Sequence, residues 1–104
     1  MTKFEVYLPL KHNDGTNIEA EKLEEILQQL MSVFGALTMS SLSSPLQGKW
    51  RYGGVEYLDD ISRVDIMAKD EWDSIQFFKN FKRRLKRTLR QLDILITLQY
   101  IHTI

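Results

Sequence analysis

Lys49–Tyr57 reads KWRYGGVEY, and the pair of glycines at its centre decides how the chain folds. Gly53 and Gly54 can both take positive φ without steric cost, which predicts a two-residue turn and therefore a β-hairpin. The arm entering the turn is expected over Leu37–Ser41 and Lys49–Tyr52, the arm leaving it over Val55–Ala68. In the leaving arm Val55 and Tyr57 are odd-numbered, whereas Val64, Ile66 and Ala68 are even. A strict pleat cannot set both groups on one face. A β-bulge or break is therefore expected near Asp59–Asp60, where one extra residue would restore the register.

On either side of the hairpin the period changes to that of a helix. Before it, Leu23, Ile26, Leu27, Leu30, Met31, Val33 and Phe34 share one arc of a helical wheel, opposite Glu21, Glu24, Glu25, Gln28 and Ser32. Thr16 and Glu19 have the spacing of a capping box at its start, and Gly35 stands where a helix C-cap favours glycine. After the hairpin, Asp70 is placed to cap a helix over Glu71–Gln91, with Phe77, Phe78, Phe81, Leu85, Leu89 and Leu92 on one side. The ends of the chain return to period two. Phe4, Val6 and Leu8 alternate with polar or amphipathic residues over Lys3–Pro9, ahead of a turn at His12–Gly15. Ile94, Ile96, Leu98 and Tyr100 share one face of a last strand over Asp93–Ile101, opposite Leu95, Thr97, Gln99 and Ile101. The order β-α-β-β-α-β predicts an α+β fold of the ferredoxin-like split βαβ kind. Its four-stranded antiparallel sheet would carry two helices on one face, with the first and third strands central.

With 104 residues, 43% hydrophobic and 27% charged, the chain is expected to be one soluble domain spanning residues 1–104. The absence of cysteine excludes a disulfide scaffold, a thiolate nucleophile and Cys-based zinc sites. The apolar run after Met1 is too short for a signal peptide, and no run approaches a membrane span; a cytoplasmic location without membrane partners is the expectation. Net charge is zero, but residues 1–73 sum to −6 and residues 74–104 to +6. Such a split marks either an electrostatic binding face or two oppositely charged helices lying side by side.

Two helices on one face would leave the other face of the sheet without cover from the chain. Tyr7, Leu95 and Ile101 fall there by parity, and Trp50, Tyr52 and Tyr57 are candidates to join them. Such a face is either shielded by the 40–49 segment or occupied by a second subunit, packed sheet to sheet or edge to edge. The other conspicuous feature is KNFKRRLKRTLR, from Lys79 to Arg90. Lys79, Lys82, Arg83, Lys86, Arg87 and Arg90 form a stripe opposite the apolar arc, so the stripe faces outward. It reads as a solvated helix face partly neutralised by the acidic first helix, or as a phosphate-binding surface.

Asp59 and Asp60, with Asp65 and His12, invite comparison with a magnesium site. Neighbouring strand residues point to opposite faces, however, so the two aspartates would converge only at a bulge; structural acids are the simpler reading. His12 and His102 lack zinc-ligand spacing, no serine stands in a nucleophile elbow, and no glycine-rich phosphate loop is present. No catalytic set, metal site or cofactor is expected.

The segments FEVYLPLKHNDG (Phe4–Gly15), FGALT (Phe34–Thr38), GKWRYGGVEYLDD (Gly48–Asp60) and QLDILI (Gln91–Ile96) together resemble a family of small uncharacterised bacterial proteins. That family reads I/V-Y-I-P…D-G, F-G-G-x-T, G-x-W…G…D and a final Q-x-x-I strand. Ala36 departs from it where the family has a second glycine. The resemblance implies a ferredoxin-like fold, brings no established activity, and points to Gly48, Trp50 and Asp59 or Asp60 as a shared site. Two functional readings stand. In the first, the chain is a non-enzymatic interaction or regulatory module, homodimeric, binding a protein partner or small effector through Trp50, Tyr52, Tyr57, Asp59 and Asp60. In the second, it binds or processes nucleic acid through the Lys79–Arg90 stripe.

Overall fold

A computed structural model describes residues 1–104. The elements run β1 (Thr2–Pro9), α1 (Ala20–Phe34), β2 (Thr38–Met39), β3 (Leu46–Tyr52), β4 (Val55–Ala68), α2 (Glu71–Thr88) and β5 (Ile96–Tyr100). The class is α+β, with two helices and one antiparallel sheet. The sheet has five strands rather than the four expected, in the order β2-β4-β1-β5 with β3 also on β4. Because β1 pairs with β4 over residues 61–68, both β2 (on Val64 and Asp65) and β3 (on Val55–Ile61) must lie along the other edge of β4. They are one edge broken in two. From Met39 to Leu46 that edge advances seven residues, while β4 advances three, from Val64 to Ile61. The surplus loops out over residues 40–45.

The same registers remove the expected bulge. Pairing along β4 is continuous from Val55 to Ala68 against both neighbours, so the strand is regular through Asp59–Asp60. The parity conflict resolves differently: Val55 and Tyr57 lie on the face opposite Val64, Ile66 and Ala68. The Gly53–Gly54 turn has φ of 58° and 80°, the type I′ geometry that its sequence favours.

One core joins the even-numbered face of β1 (Phe4, Val6, Leu8) and of β4 (Val64, Ile66, Ala68) to the stripes of both helices (Leu23, Ile26 and Leu30; Phe78, Phe81 and Leu85). The Phe4 and Phe78 rings stack at 4.4 Å. Both helices therefore cover the same face. The apolar arc of α1 is narrower than its wheel suggests, since Met31 and Val33 stay exposed.

Helix ends follow local chemistry. At α2 the Asp70 carboxylate accepts the Asp73 amide at 3.0 Å, as expected of an N-cap. At α1 the capping box is absent: the helix starts after Glu19 without a side-chain cap, and Thr16 turns back to Asp14 Oδ1 through its amide (2.9 Å) and hydroxyl (2.6 Å). These bonds hold the Asp14 carboxyl below its ordinary range. Gly35 closes α1 at φ 81°, donating its N–H to Met31 O. α2 ends at Thr88, three residues short of expectation, in a Schellman arrangement. Arg90 N–H reaches Arg87 O and Gln91 N–H reaches Lys86 O, with Arg90 at φ 51°, the one non-glycine residue in the left-handed region. The turn after β1 docks on this end. His12 Nδ1–H donates to Leu89 O at 3.2 Å, and Gln91 Nε2 donates to Lys11 O and Leu89 O.

Candidate binding site

The helix-free face is built from odd-numbered residues of β1 and β4, and its middle is polar. Tyr7 donates its phenol to Glu5 Oε2 at 2.9 Å. Lys3 Nζ lies 3.2 Å from Glu5 and 3.6 Å from Asp65, and Arg63 Nε lies 3.2 Å from Asp65 Oδ1. The Tyr7 hydrogen bond, ahead of the Lys3 contact, pulls the Glu5 carboxyl below its ordinary value, and the same bond pushes the Tyr7 phenol up. The expectation of an open face dominated by aromatic groups thus fails at the centre of the sheet. Alternation had marked these positions only as outward-facing.

Toward the β3–β4 hairpin the face changes character. Directly opposed strand residues share a face, so the pairs Leu46–Ile61, Gly48–Asp59 and Trp50–Tyr57 continue the helix-free side. The Trp50 and Tyr57 rings stack at 4.6 Å, Tyr52 meets Trp50 edge-on at 6.4 Å, and the Trp50 indole N–H donates to Asp59 Oδ2. Gly48 has a steric reason to be glycine. A Cβ there would sit 2.6 Å from Ile61 Cδ1, so the Ile61 side chain leans across the space a larger residue would fill.

A groove of about 390 Å³ opens beside this cluster. Trp50, Gly48, Lys49 and Leu46 of β3 line one wall, Asp59 and Ile61 of β4 the floor, and Tyr7 and Pro9 of β1 with Gln91, Asp93, Ile94 and Leu95 the other wall. Its charged groups are Asp59, Asp93 and Lys49. Burial acts to raise the Asp93 carboxyl, but the Ile94 amide (2.9 Å) and Lys82 (3.2 Å) outweigh it and hold the group below its ordinary value. The lining is otherwise apolar or amide, which suits shape recognition with a few orienting polar contacts.

Of the residues singled out from sequence, Trp50 and Asp59 line the groove, whereas Tyr57, stacked on Trp50, and the exposed Tyr52 lie outside its lining. Asp60 does not line the groove. It projects to the opposite face, where Lys11 Nζ approaches it at 3.2 Å. Asp59 and Asp60 therefore form no common cation site. Sequence reasoning missed Leu46, Ile61, Gln91 and Asp93. Gln91 and Asp93 sit in the short link between α2 and β5, where no periodicity marks a side chain's direction.

Of the six stripe residues expected on α2, Lys79, Arg83 and Arg87 are exposed on the helix, Lys82 and Lys86 are half-buried, and Arg90 lies exposed beyond the helix's end at Thr88. The neutralisation by α1 does not occur. No ion pair joins the two helices, and Lys82, bound to Asp93, is the one stripe cation in a salt bridge. Arg84, off the stripe, lies over the Phe81 ring at 5.6 Å. No helix is long and apolar enough to cross a membrane. Neither a protein-family model nor a curated protein matches the chain.

Proposed function

We propose that the chain is a ferredoxin-like, non-enzymatic interaction module that works as a homodimer and takes a small effector with a flat, neutral or cationic ring in its groove. The observation that carries the reading is the Trp50–Tyr57 stack beside the Asp59 carboxylate, on the face that neither helix covers. Stacked aromatic groups offer a platform for a planar ring, and an adjacent carboxylate favours a positive or hydrogen-bond-donating one. The groove volume falls within the range of about 300–1,000 Å³ usual for small-molecule sites. The ferredoxin-like assignment draws support from β1 and β4 at the centre of the sheet and from β2 and β3 sharing one rank. Three of the four segments that carry the family resemblance supply groove residues: Tyr7 and Pro9, Gly48–Trp50 with Asp59, and Gln91 with Asp93–Leu95.

The test uses Trp50 as its own reporter. Trp72→Phe leaves Trp50 as the single indole, since the chain has two tryptophans. Titration with planar amines and neutral heteroaromatics should give a saturable change in its emission, abolished by Gly48→Leu and weakened by Asp59→Asn. A library with no saturable member, or binders indifferent to Gly48→Leu, refutes the reading.

A second reading rests on the stripe cations Lys79, Arg83, Lys86, Arg87 and Arg90, which have no acidic partner. As a nucleic-acid surface this stripe should bind RNA or DNA with a salt slope of about −0.9 per neutralised phosphate on duplex. Arg83→Glu/Lys86→Glu/Arg87→Glu should abolish that binding. No affinity at ~50 mM salt, where the electrostatic contribution is strong, ends this alternative.

A further inference from the structure

We infer that β5 is the seam between two copies of the chain: a second copy adds antiparallel to Ile96–Tyr100, with the two-fold axis at Leu98. This rests on the dimeric part of the reading above and is independent of the groove. β5 pairs with β1 alone, so its other edge carries backbone groups without partners. Their direction is fixed. Tyr7 N–H donates to Leu95 O, and Ile101 N–H donates to Met1 O, so odd-numbered residues of β5 turn toward β1. Alternation then sends the N–H and C=O of Ile96, Leu98 and Tyr100 outward. An antiparallel copy centred on Leu98 opposes Leu98 to Leu98 and Ile96 to Tyr100, each a hydrogen-bonded pair. All three outward residues find partners in one register.

The edge has none of the features that keep strands from pairing. Ile96–Ile101 contains no charge, proline or glycine. The opposite edge is broken at residues 40–45 and carries Lys49 and Arg51. On the α2 side of β5, Leu98 is 41% and Tyr100 69% exposed, and the dyad sets Leu98 against Leu98 and Ile96 against Tyr100.

The helices are compatible with this arrangement. α2 packs over β1 and β5, sharing a crevice lined by Phe4, Phe78, Ile96 and Leu98. With strands about 4.8 Å apart, two α2 axes, were each centred over its own β1–β5 pair, would run about 10 Å apart, a normal helix-packing distance. Glu71 accepts the Tyr100 phenol at one end of β5, and Lys79 and Lys82 line the crevice toward the other, Lys82 held by Asp93.

The absence of native cysteine gives a direct test. Opposed residues of a hydrogen-bonded antiparallel pair have Cα atoms about 5.5 Å apart, within disulfide reach. Leu98→Cys should therefore form a covalent dimer on mild oxidation. Ile96→Cys should not, because four residues of strand separate Ile96 from its own copy, about 13 Å. In sedimentation, Leu98→Lys should weaken association at least tenfold, with an unchanged circular dichroism spectrum. A wild-type monomer at about 100 μM, where even modest homodimers assemble, overturns both this seam and the dimeric part of the proposed function. A wild-type dimer whose Leu98→Cys variant fails to cross-link overturns the seam alone; since that substitution adds no charge, it reports even if Leu98→Lys does not fold.

Discussion

The end of α2 offers a measurement in which backbone strain and charge can be separated. Arg90 sits at φ 51° in the position of a Schellman motif that glycine usually holds. An L-residue in the left-handed region costs about 1–2 kcal/mol. Glycine's extra freedom in the unfolded chain offsets about 0.4–1 kcal/mol of that. Losing a cation beside the helix C-terminus removes a further ~0.3 kcal/mol or more at an exposed site. Arg90→Gly alone is therefore expected to change stability little, because gain and loss nearly cancel. Arg90→Ala suffers the same charge loss and keeps the Cβ. The glycine variant should then exceed the alanine variant by about 1 kcal/mol, which for a domain of this size is roughly 4–8 °C in Tm. Urea unfolding and calorimetry of the two variants side by side measure this difference. An alanine variant as stable as the glycine one would refute the assignment of strain to Arg90.

Capping makes a paired prediction: Asp70→Ala should cost about 1 kcal/mol, whereas Glu19→Ala, which removes no cap bond and only an exposed pair with Lys22, should stay within about 0.5 kcal/mol. Both are read by chemical denaturation. Leu30 has no exposed surface, and Leu30→Ala should cost about 2.7–5 kcal/mol by the same method. Acid sensitivity should trace in part to Glu5. Its carboxyl lies below the ordinary 4.5 in the folded chain, so the unfolded chain binds more protons and stability rises with pH below that value. The contribution is complete above about pH 4.5 and is lost as pH falls through the lower folded value; Glu5→Gln should flatten the stability profile there, and an unchanged acid slope would count against the Tyr7–Glu5 bond.

Much of the architecture was legible because period and punctuation agreed. Phe4, Val6 and Leu8 alternate and are buried; Phe78, Phe81 and Leu85 recur at helical spacing and are buried with them; Gly35, Gly53–Gly54 and Asp70 act as their types suggest. The misreadings came where one pattern admitted two explanations. The parity change between Tyr57 and Val64 predicts a bulge in β4. Instead the strand runs unbroken and swaps the face that carries its large side chains, since beyond Ile61 the hairpin extends past the helices. Thr16 had capping-box spacing, but Asp14, two residues earlier, captures its hydroxyl. In the groove, Trp50 and Asp59 could be named from the chain, whereas Gln91 and Asp93 arrive through tertiary folding alone. The polar network of Lys3, Glu5, Arg63 and Asp65 was hidden for a related reason: alternation tells which way a side chain points, not which charge will meet it.

The way β3 is held in register has a practical consequence. Its alignment with β4 is set from the Gly53–Gly54 turn, and the looped-out residues 40–45 merely absorb the difference between the two halves of that edge. Doubling a flexible loop's length adds only about 0.6 kcal/mol of closure cost. A peptide tag spliced between Ser43 and Ser44 should therefore leave Trp50 opposite Tyr57, giving an internal handle for immobilising the protein with both termini and the β5 edge unencumbered.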